Sequence, residues 1–338
     1  MQTLRSLLRY PDGLWPNALA IIYILLTYVG GWVALFQESF WFFVLGIISV
    51  AHGMTIAGFL MHDCGHNAIF RSKEKNTSLG KILNFICGSN YGTFEDMRYK
   101  HMRHHVDNCE PLIFDYRTWL KKHPLIHRTV NILEWLYIPA VELIMHGMQL
   151  IAPFVYDSMR EQRSRVVKVI AVRLLLLAVI AWYSPVALAG YGLAYLLFMT
   201  ILRFMDNFQH NYEIYYQLSD ADFKPPKKGD FEYEMANTYS NLLSHRWPWL
   251  NLLVLNFCYH NAHHVNPTLA WYKLPELHKK MYPESCPQTF SFWAQLKCFH
   301  KYRVARVLSE EYGDHDVVAD INENKAVGAN ALSFLTAF

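Results

Sequence analysis

Charge is what this chain of 338 residues has least of. Asp, Glu, Lys and Arg make up 17% of it, against about 25% in soluble domains. The net charge is only +3, with no RNP motif, helix-turn-helix or basic stripe. A nucleic-acid partner is therefore excluded, and the small positive excess suits an anionic membrane face. Six cysteines, Cys64, Cys87, Cys109, Cys258, Cys286 and Cys298, form no CxxC. Their spacing suggests neither a zinc ribbon nor a disulfide framework, and they read as reduced thiols on a cytosolic side. The absence of HExxH removes the zinc metalloproteases. The absence of Glu-x-x-His removes the carboxylate-rich four-helix di-iron pattern. Gly190-Tyr-Gly192 lacks a third glycine and lies in an apolar run, so it is no nucleotide loop. No flavin, nicotinamide or fused haem-domain motif is visible. Residues 1–16 carry Arg5 and Arg9 but no signal-peptide cleavage pattern.

Apolar residues are plentiful instead, at 53%, and aromatics reach 15%. Four runs are long enough to cross a hydrocarbon core of about 30 Å: residues 17–36, 40–61, 166–184 and 186–205. The predicted fold is all-α, a single polytopic membrane domain over residues 1–338 with four transmembrane helices and a cytoplasmic helical cap. The outer turns, 37–39 and 184–185, hold no Lys or Arg, which assigns both termini to the cytoplasm. Residues 79–94 read as an interfacial or re-entrant piece. Residues 129–154 are apolar but contain Glu134, Glu142 and His146 near one face, as expected of a helix lying along the membrane. A span with a buried polar contact face is the alternative. The tail, residues 310–338, is expected to dock loosely.

Histidine carries the chemistry. Eight of 17 histidines fall in three short boxes: His62 and His66; His101, His104 and His105; His260, His263 and His264. Spacings of three and four residues put each set on one helix face, with Cβ atoms about 5–6 Å apart. Imidazoles so close are costly as cations and natural as neutral ligands of Zn, Cu, Fe or Ni. Zinc is satisfied by three or four ligands, so eight point to two metal ions. The boxes lie at span ends, where four spans with both ends inside bring them to one membrane face. Asp63, Asp206, Asn207 and Asn261 are placed to hydrogen-bond a ligand's second nitrogen or a bridging water. His52, His146 and His245 stand alone and read as structural.

HX3H, HX2HH and HX2HH, in that order between hydrophobic spans, resemble the boxes of the membrane fatty acid desaturase family. The sequence after the third box, HHxNPxxxWYxLPxLH, is similar to that of bacterial members and of some carotenoid oxygenases. The resemblance covers roughly residues 54–280. It implies two Fe ions cycling between Fe2+ and Fe3+, with the eight box histidines as ligands and the ions themselves as the catalytic group. The family's extra histidine from the end of the fourth span corresponds to His210. It also implies O2 as co-substrate and a fatty acyl lipid or thioester as substrate. Electrons would come from a separate donor, a ferredoxin or small haem cytochrome with its reductase. A first box of HX3H and a His-led third box look more like acyl-lipid or methyl-end desaturases than acyl-CoA types. The NPxxxWYxLP ending keeps a carotenoid ketolase or hydroxylase, or a fatty acyl hydroxylase, as the alternative. A metal transporter needs ligands at mid-membrane along a path, and boxes at span ends disfavour it.

Overall fold

The computed structural model describes residues 2–88, 90–212, 214–220, 222–309 and 316–329. It is mostly helical, with one two-stranded parallel sheet of Glu110–Leu112 and Tyr215–Gln217. Four helices are long and apolar enough to cross a membrane: Pro11–Leu35, Phe40–Gly65, Asp157–Tyr183 and Pro185–Asp206. They are the four runs expected from the sequence. The second continues to Gly65, so His62 and Asp63 lie within its last turn.

The second span is the axis of the bundle. Its lower half, residues 50–65, is buried almost throughout, and the first and fourth spans pack on it. Close approach explains two of the glycines. A Cβ on Gly31 would come within 2.7 Å of Val50, and one on Gly190 within 2.6 Å of Leu35 and 2.7 Å of Phe43. Small residues of this kind let helices meet where lipid offers no hydrophobic drive to association. The third span is different: Leu174, Leu175, Val179 and Trp182 are exposed, a surface suited to acyl chains. Its Arg173 turns back to protein, bonding the Phe85 carbonyl at 2.6 Å and Asn90 Oδ1 at 2.8 Å.

Between the second and third spans the chain builds the layer that closes the site. Residues 79–94 are not one piece. The helix Lys73–Ile86 ends there, Gly88 turns the chain at a φ of 76°, and Phe94 starts the next helix, Phe94–Asp107. Residues 129–154 are likewise broken, into Pro124–Trp135 and Ala140–Val155, with Tyr137 at a φ of 63° and Pro139 at the break. The break corrects the expectation of one continuous helix, and its acids form the buried polar contact face given as the alternative. Glu134 and Glu142 are both buried, and Arg203 of the fourth span bonds them at 2.8 and 2.9 Å. Two carboxylates facing one guanidinium pull this face inward.

The tail is also firmer than expected within residues 316–329. Ile321 is buried among Phe208, Phe290 and Phe299, and the Ala329 N–H donates to the Asn207 carbonyl. Arg306 Nε donates to the Val327 carbonyl at 2.6 Å. Residues 310–315 and 330–338, with His315 and both chain ends, lie outside the described residues.

Candidate metal centre

Each box is delivered by a locally specified element. His62 lies in the last turn of the second span and His66 is its C-cap residue. The second box sits on Phe94–Asp107. Thr93 caps that helix by accepting from the Asp96 N–H, and Asn108 ends it in the left-handed region at a φ of 51°. The third box occupies a six-residue helix, His260–Val265, too short to persist alone and buried at every box position. What holds it is the chain on either side. Asn261 donates to the Thr238 carbonyl at 2.6 Å and accepts from Ser240 Oγ at 2.6 Å. Downstream, the Trp271 N–H donates to Asp63 Oδ2 at 2.9 Å and its indole donates to Asn17 Oδ1 at 3.0 Å. The tryptophan of NPxxxWY thus clamps the third box to the first box and the first span.

All nine histidines singled out in the sequence converge, and they do so in two groups. His62, His66, His101, His105 and His263 form one, and His104, His210, His260 and His264 the other, each with ligating atoms within 4.8 Å of one another. The Nε2 atoms meet in two separate chains. His66 to His101 is 2.8 Å, His101 to His105 3.2 Å and His105 to His263 3.2 Å. In the second group, His104 to His210 is 3.1 Å, His210 to His260 2.7 Å and His260 to His264 3.1 Å. No Nε2 contact in either chain crosses between the groups.

Those separations provide a test of fit. Ligands about 2.0–2.1 Å from one ion at angles of about 90–109° stand about 2.9–3.4 Å apart. The observed 2.7–3.2 Å is close to that spacing, and lone pairs aimed at one point repel unless a cation is there. Burial holds His66, His101, His105, His210, His260, His263 and His264 well below the ordinary imidazole value, and neighbouring imidazoles push the same way. Neutral rings with inward lone pairs are what a metal ligand requires. At His104 burial also opposes the cation, but Glu110 and Glu234 outweigh it and the net shift is upward. The donor set fits a metal pair.

The outward nitrogens are held too. Glu110 faces His104 Nδ1 at 3.3 Å, Glu234 bonds His264 Nδ1 at 2.7 Å, and Thr238 Oγ1 stands 3.4 Å from His210 Nδ1. Of the acidic and amide residues expected to do this, Asp63 lies 3.8 Å from His62 Nδ1. Asp206 lines a cavity of about 40 Å³ against the histidines, with Lys100, Glu110, Phe59, Leu202 and Phe257. Asn261 anchors the third box to the loop at residues 238–240 instead of holding a ring. Asn207 borders a second small cavity beside His210, closed by Gly328 and Ala329.

Glu110, Glu234 and Lys100 were not singled out in the sequence. Lys100 is the residue before His101, and it is buried, with burial pushing its ammonium down to about 8. Of the lone histidines, His52 is structural: Tyr23 holds its Nδ1 at 2.6 Å and the Leu253 carbonyl its Nε2 at 2.9 Å. His146 pairs with the Tyr195 hydroxyl at 2.7 Å.

With this geometry in place, the comparison with known families is decisive. The sequence matches the fatty acid desaturase family model over residues 38–295, about three quarters of the chain. The chain belongs to the fatty acid desaturase family. No curated protein matches it. The matched region runs from the start of the second span to the helix Phe292–Lys301. It contains all three boxes and His210. Membership and the paired histidine groups together make the protein a membrane-bound, desaturase-like enzyme with a metal-binding centre.

Proposed function

We propose that the protein removes two hydrogens from a fatty acyl chain, using O2 and a pair of iron ions held by the nine histidines. The observation that carries this reading is the division of the nine histidines into groups of five and four inside a family of desaturases. Bound iron would supply O2 activation and one-electron chemistry, which no side chain here supplies. The balanced reaction is –CH2–CH2– plus O2, two electrons and two protons, giving –CH=CH– and two waters. The electrons come from a separate donor, a ferredoxin or small haem cytochrome with its reductase. The histidine boxes and both termini lie on the cytoplasmic side, where such a donor reaches them.

The chain's own residues divide the remaining work. Phe59, Leu202 and Phe257 give the cavity an apolar wall that keeps bulk water from the reacting carbon. Lys100, Glu110 and Asp206 add polar groups to the same lining. An acyl chain attached to a membrane lipid or thioester is the substrate.

Expression in a host lacking unsaturated products, with lipid and pigment profiling by mass spectrometry, tests the assignment. A product two hydrogens lighter at unchanged chain length is the expected result. A product heavier by one oxygen reassigns the protein as a hydroxylase, and a modified pigment reassigns it to carotenoid oxidation. Turnover without O2 would refute the redox reading.

A further inference from the structure

We propose that Glu234 is a positioning residue shared by the two histidine groups, one carboxylate that orients a ring in each. This rests on the two-metal reading. Glu234 Oε1 accepts from His264 Nδ1 at 2.7 Å and lies 3.9 Å from His105 Nδ1. His264 belongs to the four-histidine group and His105 to the five-histidine group. The two rings meet at the seam between groups, with centroids 4.2 Å apart and planes 33° from parallel. His105 Nδ1 is buried and has no hydrogen-bond partner among the described residues. Its N–H needs an acceptor once Nε2 binds metal, because the proton must then sit on Nδ1. Glu234 is the acid within reach, and a carboxylate shift of about 1 Å brings 3.9 Å into hydrogen-bond range.

The other groups that back a ring serve one each: Glu110 faces His104, Thr238 faces His210 and Asp63 faces His62. Glu234 is also on a braced element. Its helix, Phe231–Ala236, is capped by Asp230, and the Glu234 carbonyl accepts from Thr238 Oγ1 at 2.7 Å. The Thr238 carbonyl in turn accepts from Asn261 of the third box. The segment that carries the carboxylate is therefore tied to the third box, which leaves the side chain free to reach both rings.

Cobalt(II) titration of the full-length protein in detergent tests this without turnover. Absorption bands assigned with His66→Ala and His260→Ala distinguish the five- and four-histidine sites. Wild type is expected to take up two cobalt ions. Glu234→Ala should shift the bands of both sites and weaken both about 10- to 100-fold. Glu234→Gln keeps one acceptor oxygen, so it should restore the four-histidine site and leave the five-histidine site weak; it also decides the matter should the alanine variant fail to fold. A change confined to the four-histidine site, or none, overturns the shared role while leaving the two-metal reading intact. A wild type that binds fewer than two cobalt ions overturns that reading, and this one with it.

Discussion

Replacing Arg203 with Met exposes how the fourth span is held. The guanidinium bonds Glu134 at 2.8 and 3.0 Å and Glu142 at 2.9 Å, and all three side chains are at most 3% exposed. The variant leaves two carboxylates buried side by side without their cation. Removing one partner of a buried pair costs about 3–5 kcal/mol, which for a chain of this size corresponds to about 4–7 °C of melting temperature. The cost should depend on pH in a definite sense. Burial, with Glu142 adding to it, already raises Glu134 to about 6 from an ordinary 4.5, against the pull of Arg203. Without Arg203 the Glu134 carboxyl rises further. A carboxyl whose folded value is raised destabilises the fold as pH climbs from 4.5 through that folded value, by up to about 1.4 kcal/mol per pH unit and per group. The deficit of Arg203→Met should therefore be large at pH 7.5 and shrink towards pH 5. The triple variant Arg203→Met, Glu134→Gln, Glu142→Gln should recover most of it at pH 7.5, because the two unpaired carboxylates are gone. Thermal unfolding in detergent, followed by size-exclusion recovery at the two pH values, measures both effects. A deficit below about 1 kcal/mol, or one that grows on acidification, would refute the reasoning.

Alanine at any one of the nine histidines should abolish oxidation while leaving the protein in the membrane; metal analysis should show the loss concentrated in that residue's own group. A variant with full activity and two metals removes its histidine from the set. Trp271→Ala should cost about 3–5 kcal/mol from lost burial and lower metal content, because the ring packed behind the third box and its indole bond to Asn17 are both lost; Trp271→Phe, which keeps an aromatic ring in that place, should retain metal. Cysteines introduced at Glu38 and Ser184 should label from the face opposite the boxes, and labelling of both from the cytoplasm would overturn the topology.

The bundle and the nine histidines that converge were legible because their causes are local. A span is a run of apolar residues matched to bilayer thickness, and a box is a spacing on one helix turn. The break at residues 136–139 was legible as well, since Pro139 is a helix terminator in plain view; what obscured it was the apolar continuity across it. Glu134 and Glu142 were visible as a polar face, but whether that face meets water or Arg203 depends on a helix more than sixty residues away. Glu110 and Glu234 lie outside any periodic pattern. Glu110 reaches His104 through a strand whose partner begins at Tyr215, and Glu234 reaches His264 from a separate short helix. No spacing rule connects such pairs. Likewise, nothing local marks Ile321 and Gly328 as packing behind the loop that carries His210.

Charge neutrality supplies the physical reason for those long-range acids. Nine neutral imidazoles around two divalent ions would leave four positive charges in a buried site, and an uncompensated charge there is costly. In carboxylate-rich di-iron bundles glutamates bind the metals themselves, and this chain has no Glu-x-x-His to do so. It has four acids around the imidazoles instead: Asp63 and Glu110 near outward nitrogens, Glu234 bonded to one, and Asp206 in the cavity wall. Placed there, a carboxylate would offset the charge of a bound metal through a ring and fix the ring's tautomer without itself taking a ligand position. Glu110 and Asp206 also have the buried Lys100 ammonium beside them as a local cation. It follows that Glu110→Gln and Glu234→Gln should each favour the less charged, reduced form of a bound iron pair, raising its reduction potential. A potential unchanged in both variants would place the compensating charge elsewhere.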